Sequence, residues 1–399
     1  MSRLNLEAYV SRLVRSGNLE VVLPWGRRIA AGDGQGPKVA IALKSYGAIA
    51  GILSRPSLGV GEAYMSGALV LEQGDIRDLI EMASRSTGHR YGGKRDGVAK
   101  RWWKRTTGEA NARIASLRNV AHHYDLSLEL YSRFLDEDLQ YSCAYFERPD
   151  MTLEQAQVAK KRHIAGKLLL SPGKSVLDIG CGWGGMGLTL AGDYGAVVDG
   201  VTLSTEQLAT ASRRANERGL DATARFSLTD YRDVAGPYDR IVSVGMFEHV
   251  GRPHFQAYFD QVARLLKDDG VALIHSIGRS EGPATTDPWT AKYMFPGGYI
   301  PALSEVLPAV ERSGLRVTDI EILRLHYAET LKAWWDRFQA NREQISKIYD
   351  ERFCRMWEYY LAGAEMGFRY GHHMVFQLQL TKTLTAAPLT RDYMAGAPG

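Results

Sequence analysis

The sequence predicts an α/β protein: a doubly wound, largely parallel sheet interrupted by a helical insertion, with a small α+β unit ahead of it. Three observations carry that prediction. From about residue 150, short apolar runs alternate with helix-length amphipathic stretches. One of those runs ends in an acid and a glycine-rich turn, VLDIGCGWGGMG. Finally, an aromatic-rich helical stretch from about Tyr327 to His373 separates the last two strand-like runs. The chain has 399 residues, more than one domain usually holds, so two are expected. The pattern places them at 1–88 and 121–399, joined by a basic linker over 89–120.

In the first unit, an amphipathic helix opens the chain, strands are expected around VAIAL and AIAGIL, and a helix at DIRDLIEMAS. The linker holds RYGGKRDGVAKRWWKR. Its glycines and charges suit a connector, and its Trp102 and Trp103 beside Arg101, Lys104 and Arg105 suit a membrane interface. In the second unit, Thr152 opens a helix through EQAQVAKKRHIAGKLLL, with Gln155 at capping-box spacing. Strands follow at SVLDIG, VVDGVTL, ARFSL, DRIVSVG and VALIHSIG, separated by helices in TEQLATASRRANERG and FQAYFDQVARLLKDDG. RVTDIEIL and VFQLQLTK are the last two strands, and the insertion between them is the natural lid over the strand ends, where such sheets bind ligands.

The net charge of +4 is too mild to demand a nucleic-acid surface, yet it permits weak attraction to anionic headgroups. Three cysteines, Cys143, Cys181 and Cys354, have neither zinc-site nor disulfide-framework spacing, so no metal is expected and a reducing cytoplasm fits. No apolar stretch is long enough for a span, and any membrane contact is expected to be peripheral, at the inner face.

The chemistry concentrates first at the glycine turn. Asp178 ends a strand, and Gly180, Gly182, Gly184 and Gly185 let the backbone approach a ligand without Cβ clashes. A dinucleotide site uses a similar turn, so glycines alone decide little. The form D-x-G-x-G-x-G after LDIG resembles the class I methyltransferase loop, which implies a Rossmann-like fold and S-adenosylmethionine as cofactor. After the second strand, Thr202, Leu203, Ser204 and Gln207 stand where such enzymes often carry an acidic ribose ligand; Ser204 and Gln207 also read as a helix start. Tyr231 and Arg232 stand where the adenine edge is expected, with a surface ion pair as the plainer reading of Arg232.

Further segments, QYSCAYF, VGMFEHVG, IHSIG, DPWTAKYMFPGGYIP, HYAETLKAWW and ERFCRMWEYYL, closely resemble the cyclopropane-fatty-acyl-phospholipid synthase family, to which the mycolic acid cyclopropane synthases are related. The resemblance covers about 120–385, and LGVGEAYMSG resembles part of the extra amino-terminal domain of the bacterial phospholipid enzymes. It implies that Tyr141 and Ser142 contact the cofactor, and that Cys143, Glu248, His275, Ile277 and Tyr327 surround a bound bicarbonate. It also implies the reaction: methylene addition across a cis double bond of unsaturated phospholipid, giving a cyclopropane fatty acid. A weak alkene nucleophile needs orientation in a dry cavity, and the cation left by methyl transfer needs a base to close the ring. A borrowed bicarbonate supplies one without a permanently unpaired buried charge.

Plainer readings stand beside these. Glu248 could belong to a strand-end turn, His275 could be a satisfied core histidine, and Trp334, Trp335 and Trp357 sit at helical spacings that core packing explains. Cys143 has no local base to make it a nucleophile. Competing activities are a lipid C-methyltransferase leaving a methyl-branched or mycolic-type product, an amine N-methyltransferase, and a non-catalytic lipid-binding protein. A homodimer would give a membrane enzyme two anchoring points.

Overall fold

The computed structural model describes residues 4–87 and 126–395. The basic stretch with Arg101, Trp102, Trp103, Lys104 and Arg105 lies outside the described residues. The chain divides into two compact units that do not follow chain order. One joins Met1–Arg95 to Ala284–Pro296 and Ala328–His372; the other holds Asp96–Pro283, Gly297–Tyr327 and His373–Gly399.

The first unit contains a four-stranded sheet, ordered β2-β1-β3-β4, from β1 (Asn18–Val22), β2 (Arg28–Ala31), β3 (Lys38–Leu43) and β4 (Leu69–Gln73). VAIAL is β3, buried along its length. AIAGIL is not a strand: it lies in the helix Tyr46–Ser54. Ser45 caps that helix by accepting the Ala48 N–H, and Ile49 and Ile52 turn one face inward. A short apolar run reads equally well as buried strand or buried helix, and here the cap decides. The next helix, Pro56–Met65, starts with proline at its first position, where no amide hydrogen is needed. A Cβ on Gly59 would lie 2.4 Å from the Gly51 carbonyl oxygen, so glycine alone permits this helix pair to approach so closely.

The predicted insertion is two helices, His326–Ile348 and Glu351–Arg369. From Ala328 on, they pack within the first unit. Glu365, fully buried, is held by Arg77 at 2.7 and 2.8 Å and by Arg369, and the Tyr64 hydroxyl donates to Glu358, which Arg342 also binds. A buried carboxylate is tolerable only when paired in this way. Trp334, Trp335 and Trp357 are all buried, in line with a packing role.

The second unit is built on a seven-stranded sheet ordered β10-β11-β9-β8-β5-β6-β7. Its strands are β5 (Ser175–Ile179), β6 (Val197–Thr202), β7 (Ala224–Leu228), β8 (Tyr238–Val244), β9 (Leu266–Arg279), β10 (Arg316–Ile322) and β11 (His373–Thr381). β11 runs antiparallel to both neighbours, β9 and β10, while β5, β6, β7, β8 and β9 pair in parallel. Val176, Leu177, Ile179, Ile241 and Val242 are essentially inaccessible, as expected of strands covered on both faces. Each such side chain contributes roughly 1.5–3 kcal/mol of burial. The capping box at Thr152 and Gln155 is present, opening the helix Leu153–Lys167. The helix expected through FQAYFDQVARLLKDDG stops at Leu265, because Leu266 already pairs with Tyr238 and begins β9. Strand order reverses at β5, which has β6 on one side and β8 on the other, and that switch point sets the site.

Candidate active site

β5 ends in Asp178 and Ile179, and the chain then turns through Gly180, Gly182 and Gly184 with φ of 81, 53 and 84°. A pocket opens over this turn, lined by Tyr141, Ser142, Asp178, Gly180, Gly182, Thr202, Leu203, Gln207, Tyr231 and Arg232. A Cβ on Gly182 would meet no protein atom within 4 Å, so this glycine leaves open the space that a ligand needs. Asp178 is fully buried, its Oδ2 has no hydrogen-bond partner, and burial pushes its carboxyl up to about 7. An unsatisfied acceptor in a glycine-lined crevice fits a bound polar cofactor that brings its own donors.

Two residues expected at the cofactor are not on this lining. Gly184 precedes the helix Gly185–Tyr194, and a Cβ there would lie 2.9 Å from the Ala211 Cβ, so its smallness serves packing. Ser204 caps the helix Thr205–Glu217 by accepting the Gln207 N–H. Thr202 and Gln207 join through a 2.8 Å bond from Thr202 Oγ1 to Gln207 Oε1. Arg232 forms a two-pronged pair with Asp230, one prong being the 2.8 Å bond from Nε to Oδ1, and its guanidinium lies 5.7 Å from the Tyr231 ring centre.

The opposite wall is the strip Leu139–Ser142, and its supports were not apparent from the sequence. Lys160 is wholly inaccessible; its Nζ donates to Gln140 Oε1 at 2.6 Å and Ser142 Oγ at 2.9 Å, and burial lowers its pKa to about 8. Gln157, one turn earlier, donates to the Gln140 and Ser142 carbonyls. Asp138 accepts from Lys161 at 2.6 Å and from Arg214, whose other nitrogen donates to the Trp183 carbonyl at 2.6 Å. Adjacent lysines in a helix look solvent-facing, and the only signal for burial was that Gln157, Lys160 and Ile164 share one helical face. Leu139, in left-handed backbone with φ of 59°, marks this wall as strained.

The second constellation lies past the ends of β8 and β9. Glu248 follows β8 in a short turn, half-buried as a residue but with its Oε2 buried. The Ile277 amide donates to its Oε1 at 2.6 Å, while Oε2 has no hydrogen-bond partner. Desolvation pushes its carboxyl up to about 7, against the opposing amide bonds. His275 and Ile277 are two residues apart on β9 and so face the same way. His275 is 2% exposed, with Gln377 Nε2 3.2 Å from its Nδ1, and burial lowers its pKa to about 3, leaving the ring neutral at pH 7. The Gly245 amide bonds the His275 carbonyl at 2.9 Å, locking the ends of β8 and β9 together. Cys143, next to Ser142, is buried and free of disulfides. Tyr327 is buried at the start of the helix His326–Ile348, and its neighbour His326 receives the Phe146 N–H at 2.9 Å. Glu248 is thus bonded to Ile277 on β9, His275 faces the same way two residues earlier on that strand, and Cys143 and Tyr327 sit on segments tied to each other.

A mostly parallel sheet with one reversed strand, and a glycine-built pocket at its switch point, define an S-adenosylmethionine-dependent methyltransferase. The chain belongs to the mycolic acid cyclopropane synthetase family, which matches residues 111–378; residues 8–92 match a domain of unknown function. It is 39% identical over 341 residues to a cyclopropane-fatty-acyl-phospholipid synthase from Escherichia coli (strain K12), covering 83% of this chain and 85% of that protein. A probable fatty acid methyltransferase from Pseudomonas putida is 36% identical over 376 residues, 90% of this chain and 92% of that one. Among solved structures, the cyclopropane synthase MmaA2 from Mycobacterium tuberculosis superposes with a TM-score of 0.63 at 35% identity, covering 66% of this chain and 97% of that one. Coclaurine N-methyltransferase, at 22% identity and a TM-score of 0.66 over 81% of this chain and 99% of that one, shares the fold.

Proposed function

We propose that this enzyme converts the cis double bonds of unsaturated acyl chains in membrane phospholipid to cyclopropane rings, with a bicarbonate ion as base. The observation that carries the base is the buried, unpartnered Oε2 of Glu248 beside the Ile277 amide. When bound, S-adenosylmethionine supplies an electrophilic methyl group to the alkene, and bicarbonate supplies the acceptor for the proton lost as the ring closes.

Tyr141, Ser142, Thr202, Leu203, Gln207 and Tyr231 would hold the cofactor around the turn at Gly180 and Gly182, with Arg232 beside them held by Asp230. Glu248 would hold and orient bicarbonate, with its raised pKa letting it share a proton near neutral pH. Neutral His275 presents a hydrogen bond rather than a cation, which avoids repelling a carbocation formed nearby. Cys143 and Tyr327 would close the same cavity, and the burial of Cys143, His275 and Tyr327 would help exclude the water that would otherwise capture the cation.

The test is incubation with methyl-labelled cofactor and unsaturated phospholipid vesicles, with and without added bicarbonate. Mass spectrometry locates the label, and proton NMR of the released acids separates a cyclopropane from a methyl-branched product. A cyclopropane formed in a bicarbonate-dependent way is expected; a methyl branch would move the assignment to lipid C-methylation, as the name of the Pseudomonas putida relative suggests for that protein.

Delivery to the bilayer is assigned to residues 1–88 and the basic stretch 89–120, in an enzyme working at the cytoplasmic face as a homodimer. No helix among the described residues is long and apolar enough to cross a membrane. Each exposed cation near an anionic surface contributes about 1 kcal/mol. Replacing Arg101, Lys104 and Arg105 by alanine is therefore expected to weaken cosedimentation with anionic vesicles, as added salt does. Normal binding by that variant would remove the role of these residues, and sedimentation velocity of the wild type tests the dimer.

A further inference from the structure

Three rings stack in the second unit in an arrangement that the chemistry above leaves unused. Tyr145 lies between His163, at 4.2 Å and 11° between planes, and His326, at 4.9 Å and 4°. His163 Nε2 donates to Glu321 Oε2 at 2.6 Å, and Lys167 binds the same carboxylate and lies 3.6 Å from Asp319. His326 Nδ1 accepts the Phe146 amide proton at 2.9 Å, and the His326 amide bonds the Leu323 carbonyl at 3.0 Å. The stack and the amide bond therefore tie the segment Tyr141–Phe146 to the first turn of the helix His326–Ile348. The first segment lines the cofactor pocket with Tyr141 and Ser142 and continues through Cys143; the second begins with Tyr327 one residue after His326.

We propose that His326 is a positioning residue: by accepting the Phe146 amide it sets Cys143 and Tyr327 in register with each other, and it does so only while its ring is neutral. The proposal rests on the assignment of those two residues to the bicarbonate cavity. An Nδ1 that accepts an amide proton must carry its own proton on Nε2. A second proton, on Nδ1, would set two donors face to face and release the segment. The charged and titratable groups around the ring are Glu321, Arg324, His163 and Tyr145, with Lys167 and Asp319 behind Glu321. Burial lowers the His326 pKa and Arg324 and His163 act in the same direction, whereas Glu321 opposes them. The ring is therefore neutral at physiological pH, and the register is lost on the acid side.

The test compares His326→Leu, which removes the acceptor, with His326→Asn, whose side-chain oxygen reaches the Nδ1 position. The Leu variant is expected to lose about tenfold or more in kcat with its cofactor affinity unchanged, since small misplacements at a reacting site cost this much. Asn is expected to recover most of that kcat and to shed one proton's worth of the acid-side fall in the pH profile. Independently of turnover, nitrogen NMR of histidine-labelled protein without ligands should show an Nε2–H tautomer for the resonance that the Asn substitution removes. If Leu fails to fold, His326→Gln, whose amide sits at the ε position, takes its place. Wild-type kcat in the Leu variant, equal loss in Leu and Asn, or an Nδ1–H tautomer would each overturn the proposal. A wild type indifferent to bicarbonate, with the Leu–Asn contrast intact, would instead overturn the base assignment and leave the positioning role.

Discussion

The cofactor pocket and the residues proposed to hold the base sit in the same unit and are built by opposite means. The pocket is a product of backbone: Asp178 to Gly185 are contiguous, and their conformations at Gly180 and Gly182 create the space. The residues proposed to hold the base come from distant segments, with Glu248 after β8, His275 and the Ile277 amide on β9, Cys143 more than a hundred residues earlier and Tyr327 well beyond. A backbone-built site fails when the chain cannot adopt its turn. A side-chain-built site fails when one atom is changed in an otherwise intact fold.

The sharpest test of this contrast is Gly182→Val. A β-branched residue at φ of 53° is strained, and its methyl groups would project into the ligand space, so cofactor affinity is expected to fall at least a hundredfold in calorimetry. Unchanged affinity in a folded variant would mean that the turn does not hold the cofactor. Next in size, Glu248→Gln is expected to lower kcat about a hundredfold while cofactor affinity stays within a few-fold. A parallel loss of affinity would show that the two sites are not separable.

A stability experiment tests the same carboxylate. Burial raises the Glu248 pKa from 4.5 to about 7, so the native state keeps a proton that the unfolded chain has released. Stability is therefore lost as pH rises from about 4.5 to 7, by on the order of 3 kcal/mol, and does not return above it. Glu248→Gln should flatten that slope in denaturant titrations at pH 5 and pH 8. Part of the slope should remain, because Asp178 is raised to about 7 in the same direction. A slope identical to wild type would mean that Glu248 is not protonated in the folded protein. The smallest effect is expected at Arg232→Ala. Its pair with Asp230 is partly exposed and local, so affinity should change by less than about threefold and stability by under ~1 kcal/mol. A tenfold loss would make Arg232 a true cofactor ligand.

What the sequence alone determined was local chemistry. Short continuous apolar runs placed the strands of the large sheet and period-3.6 patterns its helices, because burial on a regular element follows its geometry. The glycine turn was legible for the same reason: residues that need positive φ next to an acid at a strand end have little other use. Thr152 and Gln155 declared their capping box within four residues. What only the tertiary structure decided was everything whose partner lies far along the chain. AIAGIL reads as either element by itself, and the helix Pro56–Met65 closing on it through Gly51 and Gly59 accommodates it only as a helix. Lys160 is buried because Gln140 and Ser142 accept its protons. Glu365 tolerates full burial because Arg77, 288 residues away, supplies two bonds. The register of Tyr145 against His163 and His326 likewise joins three separate segments of the chain. A side chain's charge and burial depend on the dielectric and donors that surround it, and those are set by the packed fold rather than by its neighbours in sequence.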